Sequence, residues 1–222
     1  MVHIVISKLI QGNQDMKYKS IFGTALSLLL AGSIYSAPSP DEIEILDLMV
    51  RGSGCPAGTT GVMFTSTTPG GPADFFEVIF DEFAVEKGPG VGLTEKRKFC
   101  SIVLSLSFPQ GFTFSMADVH FEGYAEIGED SVGELKTEYY FPFHSEKEIR
   151  SKTLNGPFED DFSQQDTTSI FNPVWAPCGF RVPLNVKTTL NLKGPRTDPA
   201  LMTVDQATGM LKQLFHIKWR EC

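Results

Sequence analysis

The stretch Arg97–Glu126, RKFCSIVLSLSFPQGFTFSMADVHFEGYAE, decides the fold class. In its first half Cys100, Ile102, Leu104, Leu106 and Phe108 alternate with Ser101, Ser105 and Ser107, interrupted only by Val103. Successive side chains of a strand point to opposite faces, so this run has one apolar face and one hydroxyl-rich face. Pro109-Gln110-Gly111 then supplies a fixed φ and a residue free to take positive φ, the chemistry of a turn. The return strand puts Phe112, Phe114 and Met116 on one face, then Val119 and Phe121 at the opposite parity. A one-residue slip would turn every later side chain over, so a β-bulge near Ala117-Asp118 is predicted to restore the buried face. The stretch reads as a core hairpin.

The same period of two recurs on both sides of it. Ile43–Val50 and Gly61–Thr67 read as strands, separated by the glycine-rich turn Arg51–Gly58 around Cys55. That turn is no phosphate loop, because neither a Lys-Ser/Thr pair nor a helical pattern follows the glycines. Asp74–Val85 is a strongly apolar strand, with Phe76, Val78 and Phe80 on one face and Phe75, Ile79, Phe83 and Val85 on the other. Glu86–Lys98 reads as a loop ending in Lys96-Arg97-Lys98, a solvated strand entrance rather than an anion site. Beyond the hairpin, Leu135–Phe143 and Val182–Leu192 are strands, and Leu201–Val204 and Leu211–Trp219 form a last pair across Asp205–Gly209. Ser145–Thr168 is polar and acidic and reads as the longest surface loop, a common seat of function. With no sustained helical period after the leader, about ten strands separated by turn signals define an all-β chain. The expected fold is a two-sheet antiparallel β-sandwich, jelly-roll-like.

Residues 1–37 are not counted in that domain. Met16-Lys17-Tyr18-Lys19 followed by the apolar run Ile21–Ala31 reads as a secretory signal peptide, with residues 1–15 as an upstream extension and cleavage between Ile34 and Pro38. The run is about half the ~20 residues a membrane span needs. The single β-sandwich domain is then 38–222. The leader carries +2 of a whole-chain charge of −8, so the remainder is −10. Such an acidic domain lacks the Lys/Arg patches that nucleic acid or an anionic membrane surface would require. No apolar tail follows Trp219-Arg220-Glu221-Cys222, so no lipid anchor is expected, and there is no Asn-x-Ser/Thr acceptor for N-glycosylation. The four cysteines, Cys55, Cys100, Cys178 and Cys222, are too far apart for a zinc site. In an exported chain they imply two disulfides, with three connectivities open.

The residues flanking these cysteines carry a resemblance. Gly-Ser-Gly-Cys-Pro-x-Gly-Thr at 52–59, Arg-Lys-x-Cys at 97–100, Phe-Pro-x-Gly-Phe-x-Phe at 108–114 and Glu-Gly-Tyr-Ala at 122–125 occur in order. Tyr-Tyr-Phe at 139–141, Gly-Pro-Phe at 156–158, Trp-Ala-Pro-Cys-Gly at 175–179 and Trp-Arg-Glu-Cys at 219–222 complete the set. Over residues 43–222 the chain resembles the secreted domain-of-unknown-function family 4360, found in fungi and some bacteria. The resemblance implies a secreted, disulfide-bonded, mostly β domain and supplies no catalytic residues.

Candidate functional residues come from three patterns. Asp118, His120 and Glu122 project from one face of the return strand, as metal ligands or an acid–base group would, or simply as the polar side of a half-buried strand. Tyr124, Tyr139, Tyr140 and Trp175 would stack on saccharide rings where exposed, and are otherwise core. Glu159, Asp160, Asp161 and Asp166 offer hard oxygen donors without the spacing of a calcium loop. No Gly-x-Ser-x-Gly elbow or His-Glu-x-x-His pair is present, and His120, His144 and His216 are the domain's only histidines. No cofactor and no metal is expected. The sequence reads as a non-catalytic extracellular binding protein, directed at a glycan, a wall or host component, or another extracellular protein. The alternatives are a carbohydrate-active hydrolase or lyase using paired carboxylates, and a structural coat or matrix protein.

Overall fold

Alternation along Arg97–Ser107 does give a strand with one buried face, formed by Cys100, Ile102, Leu104 and Leu106. The computed structural model describes residues 36–142, 145–167, 173–178, 181, 183–204 and 211–222, without the side chains of 117, 118, 164–167, 211 and 212. The leader at 1–35, His144, Val182 and the turn at 205–209 lie outside the described residues.

The strands in chain order are β1 Glu44–Arg51, β2 Thr60–Thr65, β3 Phe75–Phe80, β4 Ala84–Lys87, β5 Arg97–Ser107 and β6 Phe112–Ile127. They continue with β7 Val132–Tyr140, β8 Glu148–Asn155, β9 Phe158–Thr167, β10 Leu184–Lys193, β11 Ala200–Thr203 and β12 Leu211–Glu221. Sheet I has the order β1-β5-β10-β7-β8; sheet II has the order β2-β3-β12-β6-β11-β4, with β9 also on β6. Because β9 takes one edge of β6, β12 and β11 lie end to end along the other, opposite 112–121 and 124–127. β3 and β4 follow one another in the same way along β12 and β11. Sheet II is thus five positions wide, like sheet I, and the two antiparallel sheets form a sandwich stapled by two disulfides.

The core lies between the sheets. Ile102, Leu104, Leu135, Val186 and Leu190 from sheet I meet Phe76, Val78, Val119, Phe121 and Phe215 from sheet II, each at most 2 % exposed. At about 1.5–3 kcal/mol per large apolar side chain buried, this interface is the main source of stability. A closed polar triangle sits inside it. Thr137 and Thr188 share a hydrogen bond of 2.9 Å, Thr188 bonds the Gln213 side-chain oxygen at 2.9 Å, and the Gln213 amide donates to Thr137 at 2.8 Å. Each group satisfies the next, so burial leaves none unpaired, and the triangle ties β7 and β10 to β12 in one register.

The bulge falls where the parity switch demands it. Met116 faces Ile217 and Asp118 faces His216, leaving Ala117 as the extra residue. Gly111 has φ 89°, as the turn requires. The hairpin itself is corrected: β5 and β6 belong to different sheets and do not pair. Alternation reports which face of a strand is buried and says nothing about its partner, so a crossing between layers has the same signature as a hairpin. Three more readings change. Asp74–Val85 is two strands broken at 81–83, and β11 and β12 pair with β6 and not with each other. Ser145–Thr168 contains strands β8 and β9, joined across Gly156-Pro157 and lying at the edges of opposite sheets.

Candidate functional site

The outward side chains of β6 are His120, Glu122, Tyr124 and Glu126, since Val119, Phe121, Ala125 and Ile127 point into the core. Gly123 keeps this segment thin. A Cβ there would come within 2.2 Å of the Thr203 carbonyl and 2.7 Å of the Phe162 ring, so only glycine lets β9 pack beside it. His120 Nε2 and Glu122 Oε1 are 2.8 Å apart and both side chains are about one-third exposed. The sequence-predicted pair is therefore brought together. The backbone of Asp118 continues the row, opposite His216 and Thr167, and its side chain lies outside the described residues.

Around Tyr124 the surface is acidic. Glu126 faces Glu159 and Tyr124 faces Asp161 across the β6–β9 ladder. The Tyr124 hydroxyl is pushed above the usual phenol range, first by loss of solvating water and then by the negative charges of Glu159, Glu126, Asp161 and Asp160. Among the described residues none of these four carboxylates takes part in an ion pair. They are strand residues and not loop residues. Alternation sends Glu159 and Asp161 to one face of β9 and Asp160 to the other, which disperses the oxygen donors grouped by the sequence. Among the described residues no three His, Cys, Asp or Glu side chains converge to hold a metal ion.

At Glu126 the row opens into a groove missed by the sequence reading. One open depression is lined by Glu126, Gly128, Pro157, Glu159 and Pro199. A second adjoins it through Glu126 and Pro199 and extends to Glu86, Pro89 and Leu201. Its wall is anchored from beneath by Lys87, 6 % exposed, whose ammonium donates to Ser131 Oγ at 2.6 Å and to the carbonyls of Pro195 at 2.9 Å and Asp198 at 2.5 Å. Strands β4, β6, β9 and β11 contribute to the groove from distant parts of the chain, so no local motif announces it.

The other candidates lie elsewhere. Tyr139 is corrected: it is 1 % exposed and donates its hydroxyl to the Met116 carbonyl at 2.5 Å, joining sheet I to sheet II beside the bulge. It shares the parity of Leu135 and Thr137, both buried. Tyr140 is exposed on the outer face of sheet I. Trp175 is half-buried, bridges to Ser115 and lies under the Arg220 guanidinium at 4.1 Å. Ser115 is nine residues from Tyr124, roughly 30 Å of strand, so Trp175 and Tyr124 do not flank one saccharide ring. The cysteines pair as Cys55–Cys100 and Cys178–Cys222. The first holds the glycine-rich turn on β5, and the second fastens the chain terminus beside Trp175.

Fold and surface together define a disulfide-stapled β-sandwich with an acidic, grooved outer face. The chain belongs to the family described as domain of unknown function DUF4360, whose model matches residues 41–222. A relative from Arthroderma benhamiae, described as an uncharacterized secreted protein, is 31 % identical over 188 residues, 84 % of this chain and 75 % of the relative. Within this family the chain is a secreted, extracellular protein. Among solved structures, TmCBM61 in complex with β-1,4-galactotriose aligns with TM-score 0.32 at 8 % identity, covering 83 % of this chain and 95 % of the other. The family 11 carbohydrate-binding module from Clostridium thermocellum, in complex with a β-1,3-1,4-mixed-linked tetrasaccharide, aligns with TM-score 0.25 at 8 % identity, covering 78 % and 91 %. Likenesses of that size carry no argument about ligands. Among the described residues no helix is long and apolar enough to cross a membrane.

Proposed function

We propose that the protein is a non-catalytic extracellular binding protein for glycans, and that its ligand surface runs along β6 from His120–Glu122 past Tyr124 to the groove at Glu126. The observation that carries this reading is the set of carboxylates beside Tyr124, those of Glu126, Glu159 and Asp161, none of them neutralised by a cation among the described residues. Ionised carboxylates only accept hydrogen bonds, and a polyhydroxylated ligand is rich in donors. The Tyr124 ring adds a flat amphipathic surface on which the C–H face of a sugar can lie. The test is a glycan array followed by calorimetry on the best binder. Tyr124→Ala and Glu126→Gln are each expected to weaken binding at least about tenfold, the scale of losing one stacked ring or one charge-assisted hydrogen bond, and the glycan should be recovered uncut. An array on which the wild-type chain binds nothing, or binding untouched by both substitutions, overturns the proposal.

A further inference from the structure

The edge strands of the sandwich are protected unequally. At one side, β8 flanks the exposed Ile149 with Glu148, Arg150 and Lys152, and β9 carries Glu159, Asp160 and Asp161, charges that discourage edge-to-edge pairing. At the other side, β1 pairs, among the described residues, only with β5 and exposes Leu46, Leu48 and Met49 at 43 %, 38 % and 38 %, while β2 exposes Met63 at 43 %. An unpaired ladder edge bearing aliphatic side chains is a template for another strand.

The sequence of β1 says which strand. We propose that β1 pairs antiparallel with β1 of a second copy across a two-fold axis, with Glu44 of each copy facing Arg51 of the other. The argument is one of faces. Arg51, Met49 and Asp47 lie opposite Ser101, Val103 and Ser105 on the outer side of sheet I, whereas Val50 and Leu48 lie opposite the buried Ile102 and Leu104. The register shift between Ile45 and Asp47 makes Leu46 the extra residue, so Ile45 returns to the inner side and Glu44 to the outer. Counting past that bulge, self-pairing sets Glu44 against Arg51, Ile45 against Val50, Asp47 against Met49, and Leu48 against itself on the axis. Every pair then shares a face, and the two terminal pairs are of opposite charge, which fixes the register. Without the bulge Glu44 and Arg51 would lie on opposite faces of the joined sheet.

An antiparallel pair related by a two-fold axis has that axis perpendicular to the sheet. Both copies of sheet II therefore point to the same side, and the two acidic grooved faces form one bivalent surface. The dimer does not depend on the ligand assigned to that surface.

Sedimentation velocity of the secreted chain from about 1 to about 100 µM reads the association by mass action. The wild type is expected to shift from monomer to dimer over this range. Arg51→Glu, which sets two like charges against each other at both ends, should weaken the dimer at least about tenfold. Glu44→Arg combined with Arg51→Glu should restore it. Both residues are exposed, and thermal melts of the variants check that the fold is kept. A wild type that stays monomeric throughout, a dimer indifferent to Arg51→Glu, or a double variant that fails to recover would each overturn the proposal.

Discussion

The outer faces of the two sheets handle charge in opposite ways. On sheet I, Glu138 holds Lys147 at 2.9 Å and Lys136 at 3.1 Å, and Glu134 holds Lys193 at 2.5 Å and Asn191 at 3.2 Å. Lys187 lies 5.1 Å over the Phe99 ring, so the part of that face formed by β5, β10 and β7 is neutralised within itself. On sheet II, Glu126, Glu159 and Asp161 stand beside Tyr124, and Glu126 and Glu159 are directly opposed like charges, an arrangement that costs stability. A chain that folds for stability alone has no use for that second arrangement. The difference leaves the centre of sheet I satisfied within itself, whereas the proposed ligand surface lies on the face of sheet II where charge is left unpaired among the described residues.

The comparison breaks altogether if the common frame is lost. Cys55–Cys100 closes a loop of 45 residues, and removing it with Cys55→Ser and Cys100→Ser is expected to cost about 4 kcal/mol by loop entropy. That corresponds to a fall in Tm of roughly 10 °C for a domain of this size, seen by calorimetry. A loss below about 1 kcal/mol would mean that the hydrogen bond from Gly54 to the Phe99 carbonyl already holds the turn on β5 without the bridge.

Sheet I should respond to acid through its paired glutamates. Glu138 is held below the usual carboxylate range, chiefly by the Lys147 hydrogen bond, and Glu134 likewise by Lys193. A carboxylate whose folded pKa is depressed contributes its full stabilisation above the unfolded value near 4.5 and loses it as pH falls through the folded value. Glu138→Gln is expected to cost up to about 1 kcal/mol at pH 7, the range of partly exposed ion pairs, and nothing once the pH is below the folded value. Urea titrations at the two pH values check this; a cost that persists unchanged in acid would show packing at work and not charge.

What could be read before folding follows the same division. The buried faces were legible because period-two alternation is local: Cys100 to Leu106, Val119 to Phe121, and even the bulge at Ala117 follow from parity alone. Pairing was not legible, because Pro109–Gly111 permits a turn within a sheet and a crossing between sheets equally well. The strands β8 and β9 do not show in the alternation, because β8 puts Glu148, Arg150 and Lys152 at the parity of the buried Leu154, and β9 carries charge at both parities, Glu159 and Asp160 among them. Tyr139 could have been assigned to the core by its parity with Leu135, whereas Tyr140 sits one step out of phase. The groove was beyond reach, since Glu86, Glu126, Glu159 and Pro199 meet only once four strands are assembled.

The smallest effect on stability should be the most informative about the second face. Glu126 and Glu159 are both exposed and oppose each other across the ladder, so each charge is a slight liability to the fold. Glu126→Gln and Glu159→Gln are therefore expected to leave stability unchanged or raise it by up to about 0.5 kcal/mol, with the gain shrinking as salt screens the repulsion. Equivalent neutralisation on sheet I destabilises, so the sign of the change distinguishes the two faces. Chemical denaturation of the variants at low and high ionic strength measures it. Destabilisation by about 1 kcal/mol or more at Glu126 would mean that this carboxylate has a structural partner, and the acidic face would then belong to the scaffold rather than to a ligand.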